Sequence, residues 1–279
     1  MIELSLVGIG SGSPEHITLQ GIKALNAADV ILIPRKSQGK NDLAELRESI
    51  CAAVLTNRST RIVHFDMPLR DSADADYVGA VNRWHDAIAD IWFEKIGQHF
   101  SQNENSSEKT KLKTANKAGE KLTGKLALLV WGDPSLYDST LRIAERLKLR
   151  LDLQVSVVPG ITALQALTAA HAIALNDINA PVTITTGRQL REHGWPASAD
   201  TLAVMLDGEC SFRDLDPTDI HIWWGAYLGM PEQVLAHGPL AQVCEFIMQK
   251  RQAARCAHGW IMDTYLLRRI SQSNTQTVN

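Results

Sequence analysis

"LALLVWGDPSLYDSTLRIAERL" spans Leu126–Leu147. Five apolar residues in a row, Leu126 to Val130, run into Trp131-Gly132-Asp133-Pro134, and a helical pattern follows almost at once. A short strand apolar on both faces belongs inside a parallel sheet covered on both sides. Pro134 fixes its own φ and disfavours a helical Asp133, so the helix must begin further on. Strand, abrupt corner and helix make one half of a βαβ unit. The corner leaves a rigid lip of main-chain N–H groups at the carboxyl end of the strand.

The same alternation extends in both directions. "ELSLVGIG", "DVILIP", "TRIVHFD", "KLALLVWG" and "LQVSVVPG" read as strands, the second stopped by Pro34. Between them, "TLQGIKALNAA" (with Thr18 as N-cap), "DLAELRESICAAVL", "YVGAVNRWHDAIADIWFEKI" and "STLRIAERLKL" read as helices. Strands alternating with helices predict a parallel five-stranded sheet. After Pro159 the character changes. "ITALQALTAAHAI" is helical, and "PVTITTG", "TLAVMLD", "IHIWWGAYL" and "HGWIMDTYLLRR" are short β-like runs, with the helix "LAQVCEFIMQKRQAAR" between the last two. This predicts a second α/β domain with a mixed sheet. The expected organisation is an α/β domain over 1–159, another over 160–270, and a frayed tail at 271–279. The stretch 101–121, "SQNENSSEKTKLKTANKAGEK", has almost no large apolar residue and reads as a mobile surface insertion.

Composition narrows the function classes. The chain has 279 residues, 45% of them hydrophobic, enough for one large or two modest cores. A formal net charge of −3 gives no basic excess for a nucleic-acid partner. Cys51, Cys210, Cys244 and Cys256 form no C-x-x-C pair and no zinc spacing, so they read as reduced, mostly buried thiols, and no metal is expected. "MIELSLVGIG" lacks the basic region of a signal peptide. No stretch reaches the ~18 uncharged apolar residues of a membrane span. The expected setting is cytoplasmic, with no membrane partner.

Three strand ends carry glycine. In "GIGSGSPEHIT", Gly8, Gly10 and Gly12 suggest a nucleotide loop, but Ser13 stands at the third fingerprint position. The acid wanted at the end of the second strand is replaced by Pro34-Arg35-Lys36, which weakens a dinucleotide reading and the usual Rossmann methyltransferase reading alike. In "WGDPSLY", Gly132 permits close approach to the main chain. Asp133 either caps the next helix or accepts hydrogen bonds from a ligand. In "VVPGITA", Thr162 either caps the following helix or offers its hydroxyl. The strand assignments put all three loops at one edge of one sheet, where open α/β sheets bind ligands.

In this order and spacing the three loops, Gly8–Pro14, Gly132–Tyr137 (G-D-P-x-x-Y) and Pro159–Thr162 (P-G-I-T), resemble the tetrapyrrole methylase family. The resemblance covers nearly the whole chain. It implies a two-domain α/β enzyme that holds S-adenosylmethionine folded between its domains and leaves S-adenosylhomocysteine as product. It further implies donor contacts at Pro14, Trp131, Gly132, Asp133, Leu136, Thr162, Ala163, Leu206 and Ala226. Within the family, "PEHITLQGIKALNAADV", "LVWGDPSLYDSTLRI", "ITTGRQL", "WGAYLG" and "GWIMDTYLLR" are similar to the branch of cobalamin biosynthesis that methylates C1 of precorrin-5 and releases acetate. The family tends to dimerise, so a homodimer is one expectation.

The implied chemistry sets demands. The attacking carbon must lie in line with the sulfonium methyl, about 3–3.5 Å away. The implied tetrapyrrole substrate bears many carboxylates, which suit arginine forks. Arg35, Lys36, Arg70 and Arg188, near predicted strand ends, are candidates. Loss of acetyl requires water to add to its carbonyl, a general base and an oxyanion donor; departure of acetate leaves a nucleophilic C1 to take the methyl. Tyr137 and Asp138 are the catalytic candidates, with His16 and Asp263 of suitable type. Other readings stay open: methylation at another ring position without deacetylation, an NADP-dependent oxidoreductase using Arg35 and Lys36 for a 2′-phosphate, or a module that binds the donor without turnover.

Overall fold

A computed structural model of the chain describes residues 1–36, 42–70, 74, 76–101 and 122–270. The expected insertion, beyond Ser101, and the tail from 271 lie outside the described residues. The chain folds as two compact units: Met1–Gly10 with Pro14–Gly160, and Ser11–Ser13 with the chain from Ile161 onward.

The first unit contains β1 (Ile2–Gly8), α1 (Leu19–Ala27), β2 (Val30–Lys36), α2 (Asp42–Val54), β3 (Arg61–Met67), α3 (Tyr77–Phe100), β4 (Gly124–Val130), α4 (Thr140–Lys148) and β5 (Leu153–Val158). The strands form one sheet in the order β3-β2-β4-β1-β5, and every pairing is parallel. Side chains alternate between its faces, as a period of two requires. Leu4, Leu6, Leu32, Leu126 and Leu128 pack with Trp92, Ile96 and Ile143 of α3 and α4. Val7, Ile31, Ile33, Ala127 and Leu129 pack with Leu25, Ile50 and Cys51 of α1 and α2. Burial on both faces is why these strands are apolar without a break.

The order also fixes where the sheet can bind. From β1 to β3 the chain moves one way across the sheet; from β3 to β5 it moves the other way. Right-handed crossovers then place α1 and α2 on one face and α3 and α4 on the other. The chain leaving β4 turns away from the side taken by its neighbours β1 and β2, so the carboxyl end of β4 is flanked by topological switch points.

A local signal sets the start of α1. The Thr18 hydroxyl accepts the Gly21 N–H at 3.0 Å and caps α1. One expectation fails: Pro34 does not stop β2, which pairs with β3 through Pro34↔Phe65 to Lys36↔Met67. Pairing with β4 ends at Leu32↔Leu128. Beyond that point β2 has a single partner, and a strand with one open side tolerates a missing N–H. Helix α3 also continues past its expected end to Phe100.

The second unit contains α5 (Ala163–His171), β6 (Val182–Thr186), α6 (Gly187–His193), β7 (Thr201–Met205), β8 (Ile220–Ala226), β9 (Val234–Pro239), α7 (Leu240–His258) and β10 (Asp263–Arg269). Its mixed sheet runs β6-β7-β10-β8-β9, parallel between β6 and β7 and antiparallel elsewhere. Trp224, Tyr227, Phe212 and Tyr265 anchor its core. Two elements, α6 and β9, are absent from the sequence-based expectation. Helix α6 is only seven residues long, and β9 ends in Gly238-Pro239 on a sheet edge. Among the described residues no helix is long and apolar enough to cross a membrane. Cys51 and Cys210 are buried, Cys244 is half-buried and Cys256 is exposed, so burial of the thiols is less general than expected.

Candidate active site

The carboxyl ends of β4, β1 and β5 lie side by side, and the loops that leave them touch backbone to backbone. Gly10 and Gly132 form an isolated antiparallel bridge, with Gly132 N–H donating to the Gly10 carbonyl at 2.8 Å. Gly132 has φ +64° and Gly10 φ +79°, angles that favour glycine. A Cβ on Gly8 would stand 2.6 Å from the Gly160 nitrogen, and one on Gly160 would stand 2.1 Å from the Gly132 oxygen. The bareness of the three loops is therefore consumed by packing them against one another.

Asp133 locks this arrangement. Its Oδ2 accepts the Gly160 N–H at 2.8 Å, and its Oδ1 accepts the Ser135 N–H at 2.8 Å and the Ser135 hydroxyl. Burial works against the charge, but these hydrogen bonds from Ser135 and Gly160 outweigh it and hold the carboxyl below its ordinary range. Of the two roles open to Asp133, capping α4 is not the one adopted. The N-cap position of α4 is Ser139, which makes no side-chain cap bond, and Asp138 just before it accepts the Thr140 N–H at 2.7 Å and the Thr140 hydroxyl. Between Asp133 and Asp138, Tyr137 has φ +49° and a half-exposed ring. Burial raises its pKa, so the phenol keeps its proton at neutral pH.

The other expected donor contacts of the first unit lie around this knot. Pro14 is exposed at the start of a 3-10 turn, Trp131 is half-buried against the core on the α1 and α2 face, and Leu136 is half-buried on the lip. In the second unit, Thr162 caps α5 through a capping box with Gln165, and Ala163 is the first residue of that helix. Leu206 is 66% exposed with φ +52°, which removes the simple core reading. The next residue, Asp207, is buried and accepts hydrogen bonds from the Tyr265 hydroxyl at 2.7 Å, the Ser211 hydroxyl at 2.8 Å and Arg191 at 3.2 Å. Ala226 is enclosed in the second core.

The charged candidates divide. Arg35 is committed to Glu48 at 3.3 Å, and Glu48 also meets His64. Arg70 lies 5.5 Å from the centre of the Tyr77 ring. Arg188 is on the first turn of α6. Asp263 is paired with Arg251 at 2.9 Å and accepts the Trp224 indole N–H at 2.9 Å, which occupies it as a general base. Burial lowers the His16 pKa, against the pull of Glu15. Among the described residues no group of three His, Cys, Asp or Glu could hold a metal. Sequence reasoning missed Arg47, whose Nε donates to the Leu129 carbonyl at 3.2 Å at the end of β4; in the sequence it is one polar residue on an amphipathic helix.

Residues 3–244 match the model of the Tetrapyrrole (Corrin/Porphyrin) Methylases. The chain belongs to the tetrapyrrole methylase family. It is 45% identical over 271 residues, 96% of each chain, to a protein of Sinorhizobium sp named "Precorrin-6A synthase [deacetylating]". A cobalamin synthesis related protein (CobF) from Corynebacterium diphtheriae is 36% identical with a TM-score of 0.76, over 97% of this chain and 100% of that one. The uroporphyrin-III C-methyltransferase of Thermus thermophilus, solved with S-adenosylhomocysteine, is 17% identical with a TM-score of 0.51, over 95% of this chain and 92% of that one. That likeness shows the shared tetrapyrrole methylase fold.

Proposed function

We propose that this chain is an S-adenosylmethionine-dependent C-methyltransferase of corrin synthesis, which methylates C1 of precorrin-5 and releases acetate to give precorrin-6A. The 45% identity over 96% of both chains to the relative named precorrin-6A synthase [deacetylating] carries this reading.

The first unit's site suits the donor. Its lip is main chain and apolar side chain, from Pro14, Trp131, Gly132 and Leu136, and the Asp133 carboxylate beneath it is turned to Ser135 and Gly160. Such a surface orients a cationic nucleoside without over-stabilising a charge that must disperse in the transition state. Bound there, S-adenosylmethionine supplies an electrophilic methyl group. The chain's own residues must align it, exclude bulk water, and assist addition of one water to the acetyl carbonyl. Tyr137, held protonated beside the lip, suits a hydrogen-bond donor to the developing oxyanion. Asp138 accepts the Thr140 N–H and is the second candidate, as a general base.

Purified protein given precorrin-5 and S-adenosylmethionine should yield equimolar acetate and a methylated macrocycle. Methylation without acetate would assign another ring position. A thermal shift with NADPH and none with S-adenosylhomocysteine would overturn the methyltransferase reading. Binding of S-adenosylhomocysteine without turnover of precorrin-5 would leave a donor-binding module.

A further inference from the structure

The sheet of the first unit forks at its carboxyl end. β2 and β4 pair from Val30↔Leu126 to Leu32↔Leu128. β2 then continues with β3 alone to Lys36↔Met67, while β4 continues with β1 to Gly8↔Val130. The Val130 carbonyl accepts the Ile9 N–H on the β1 side at 2.9 Å. Carbonyls alternate along a strand, so the Leu129 carbonyl points to the β2 side, into the fork. The partner it finds there is the Arg47 Nε at 3.2 Å. Arg47 projects from α2, and its Nη1 donates to the Leu43 carbonyl, one turn back, at 3.1 Å.

We propose that Arg47 grips a peripheral carboxylate of the substrate macrocycle in the fork between β2 and β4. The assignment rests on the tetrapyrrole reading above and adds to it a binding residue and the group it holds. Among the described residues the hydrogen bonds of Arg47 go to two neutral carbonyls, which position the guanidinium but do not neutralise it. Asp138 contributes a stabilising field, and its carboxylate hydrogen-bonds Thr140 and makes no ion pair with Arg47 among the described residues. Burial lowers the Arg47 pKa to about 10, so the side chain is still a cation at neutral pH and is poorly hydrated. Arg35, one strand end away, is by contrast already paired with Glu48. A guanidinium fixed through Nε and Nη1 keeps further N–H groups in the geometry that matches a carboxylate. The fork lies at a topological switch point, where open α/β sheets take ligands.

The test titrates the full-length protein with uroporphyrin III, a stable macrocycle with eight carboxylates, and with its uncharged octaamide, following porphyrin fluorescence. S-adenosylhomocysteine binding is measured in parallel by calorimetry. Arg47→Gln should weaken uroporphyrin III binding by about tenfold or more. The octaamide and S-adenosylhomocysteine affinities should change by less than about twofold, within the spread of surface effects. Arg47→Lys, which keeps charge but loses the fork, should fall between, and guards against a Gln variant that fails to fold. Equal uroporphyrin III affinity in wild type and Arg47→Gln, or an equal loss for acid and amide, overturns the assignment. No binding of either macrocycle to wild type, with S-adenosylhomocysteine still bound, overturns the tetrapyrrole reading and Arg47 with it.

Discussion

Asp133 and Gly160 are 27 residues apart, and the carboxylate Oδ2 of the first accepts the N–H of the second at 2.8 Å. The bond ties the loop after β4 to the loop after β5, and both close against Gly8 at the end of β1. Replacing Asp133 with Ala removes the charged acceptor of two part-buried backbone donors, Gly160 and Ser135, at a cost of about 1–3 kcal/mol. The expected result is a lower midpoint in urea and weaker S-adenosylhomocysteine binding in the same variant. Unchanged donor affinity in a folded Asp133→Ala protein would separate the knot from the proposed donor site.

Gly160→Ala tests the packing of the loops directly. The added Cβ would lie 2.1 Å from the Gly132 oxygen, a backbone atom that no rotamer change can move. Overpacking of this kind costs about 1–3 kcal/mol. Gly194→Ala is the control for a glycine with open space around it, where the strain of a positive φ, +69°, remains but no clash is added. Urea unfolding of the two variants should rank Gly160→Ala as the less stable.

Tyr137→Phe removes the proposed oxyanion donor and keeps the ring. Acetate release from precorrin-5 should fall about 10²-fold, with S-adenosylhomocysteine affinity preserved. Single-turnover assays that follow acetate and the methylated product separately will read this. A rate equal to wild type would remove Tyr137 from the chemistry.

Acid should loosen the second unit through Asp207. Burial opposes its charge, but hydrogen bonds from Tyr265, Ser211 and Glu209 outweigh that and lower its pKa from the ordinary 3.8. A carboxyl with a depressed folded pKa contributes stability that is complete above its unfolded value and is lost as pH falls through the folded one. Wild type should therefore lose stability below about pH 4, the ordinary carboxylate range. Asp207→Ala should be less stable at neutral pH, and its unfolding free energy should fall less steeply with acid. Parallel curves from urea titrations between neutrality and about pH 3 would contradict this assignment.

Asp263 and Arg251 form a nearly buried ion pair, with 7% and 10% of their side chains exposed. Asp263→Ala strands the guanidinium, which also donates to the Asp207 carbonyl at 2.9 Å. The expected loss is about 3–5 kcal/mol. The double variant Asp263→Leu with Arg251→Met should recover part of it in the same unfolding assay.

Legibility follows the range of the forces involved. The strands of the first sheet, the Thr18 cap and the three glycine corners can be read because each depends on neighbours in sequence. Pro34 misleads as a strand end because its tolerance depends on β2 losing β4 as a partner, a fact of sheet order. Leu206 is ambiguous because a lone leucine at a strand end does not announce a positive φ, and the buried Asp207 network beside it draws on Tyr265, 58 residues further on. Arg47 cannot be found at all, since nothing in α2 records that the Leu129 carbonyl is left without a strand partner.

By itself, the amino-acid sequence determined the α/β class, the two sheets and the identity of the three corners, because apolar periodicity, proline and glycine act on the chain within a few residues. Only the tertiary structure decided that Gly8, Gly132 and Gly160 are bare in order to pack on one another, that Asp133 points inward, and that Arg47 stands in the fork of the sheet. Those outcomes depend on strand order and hydrogen-bond partners far apart along the chain, and only the folded chain brings them together.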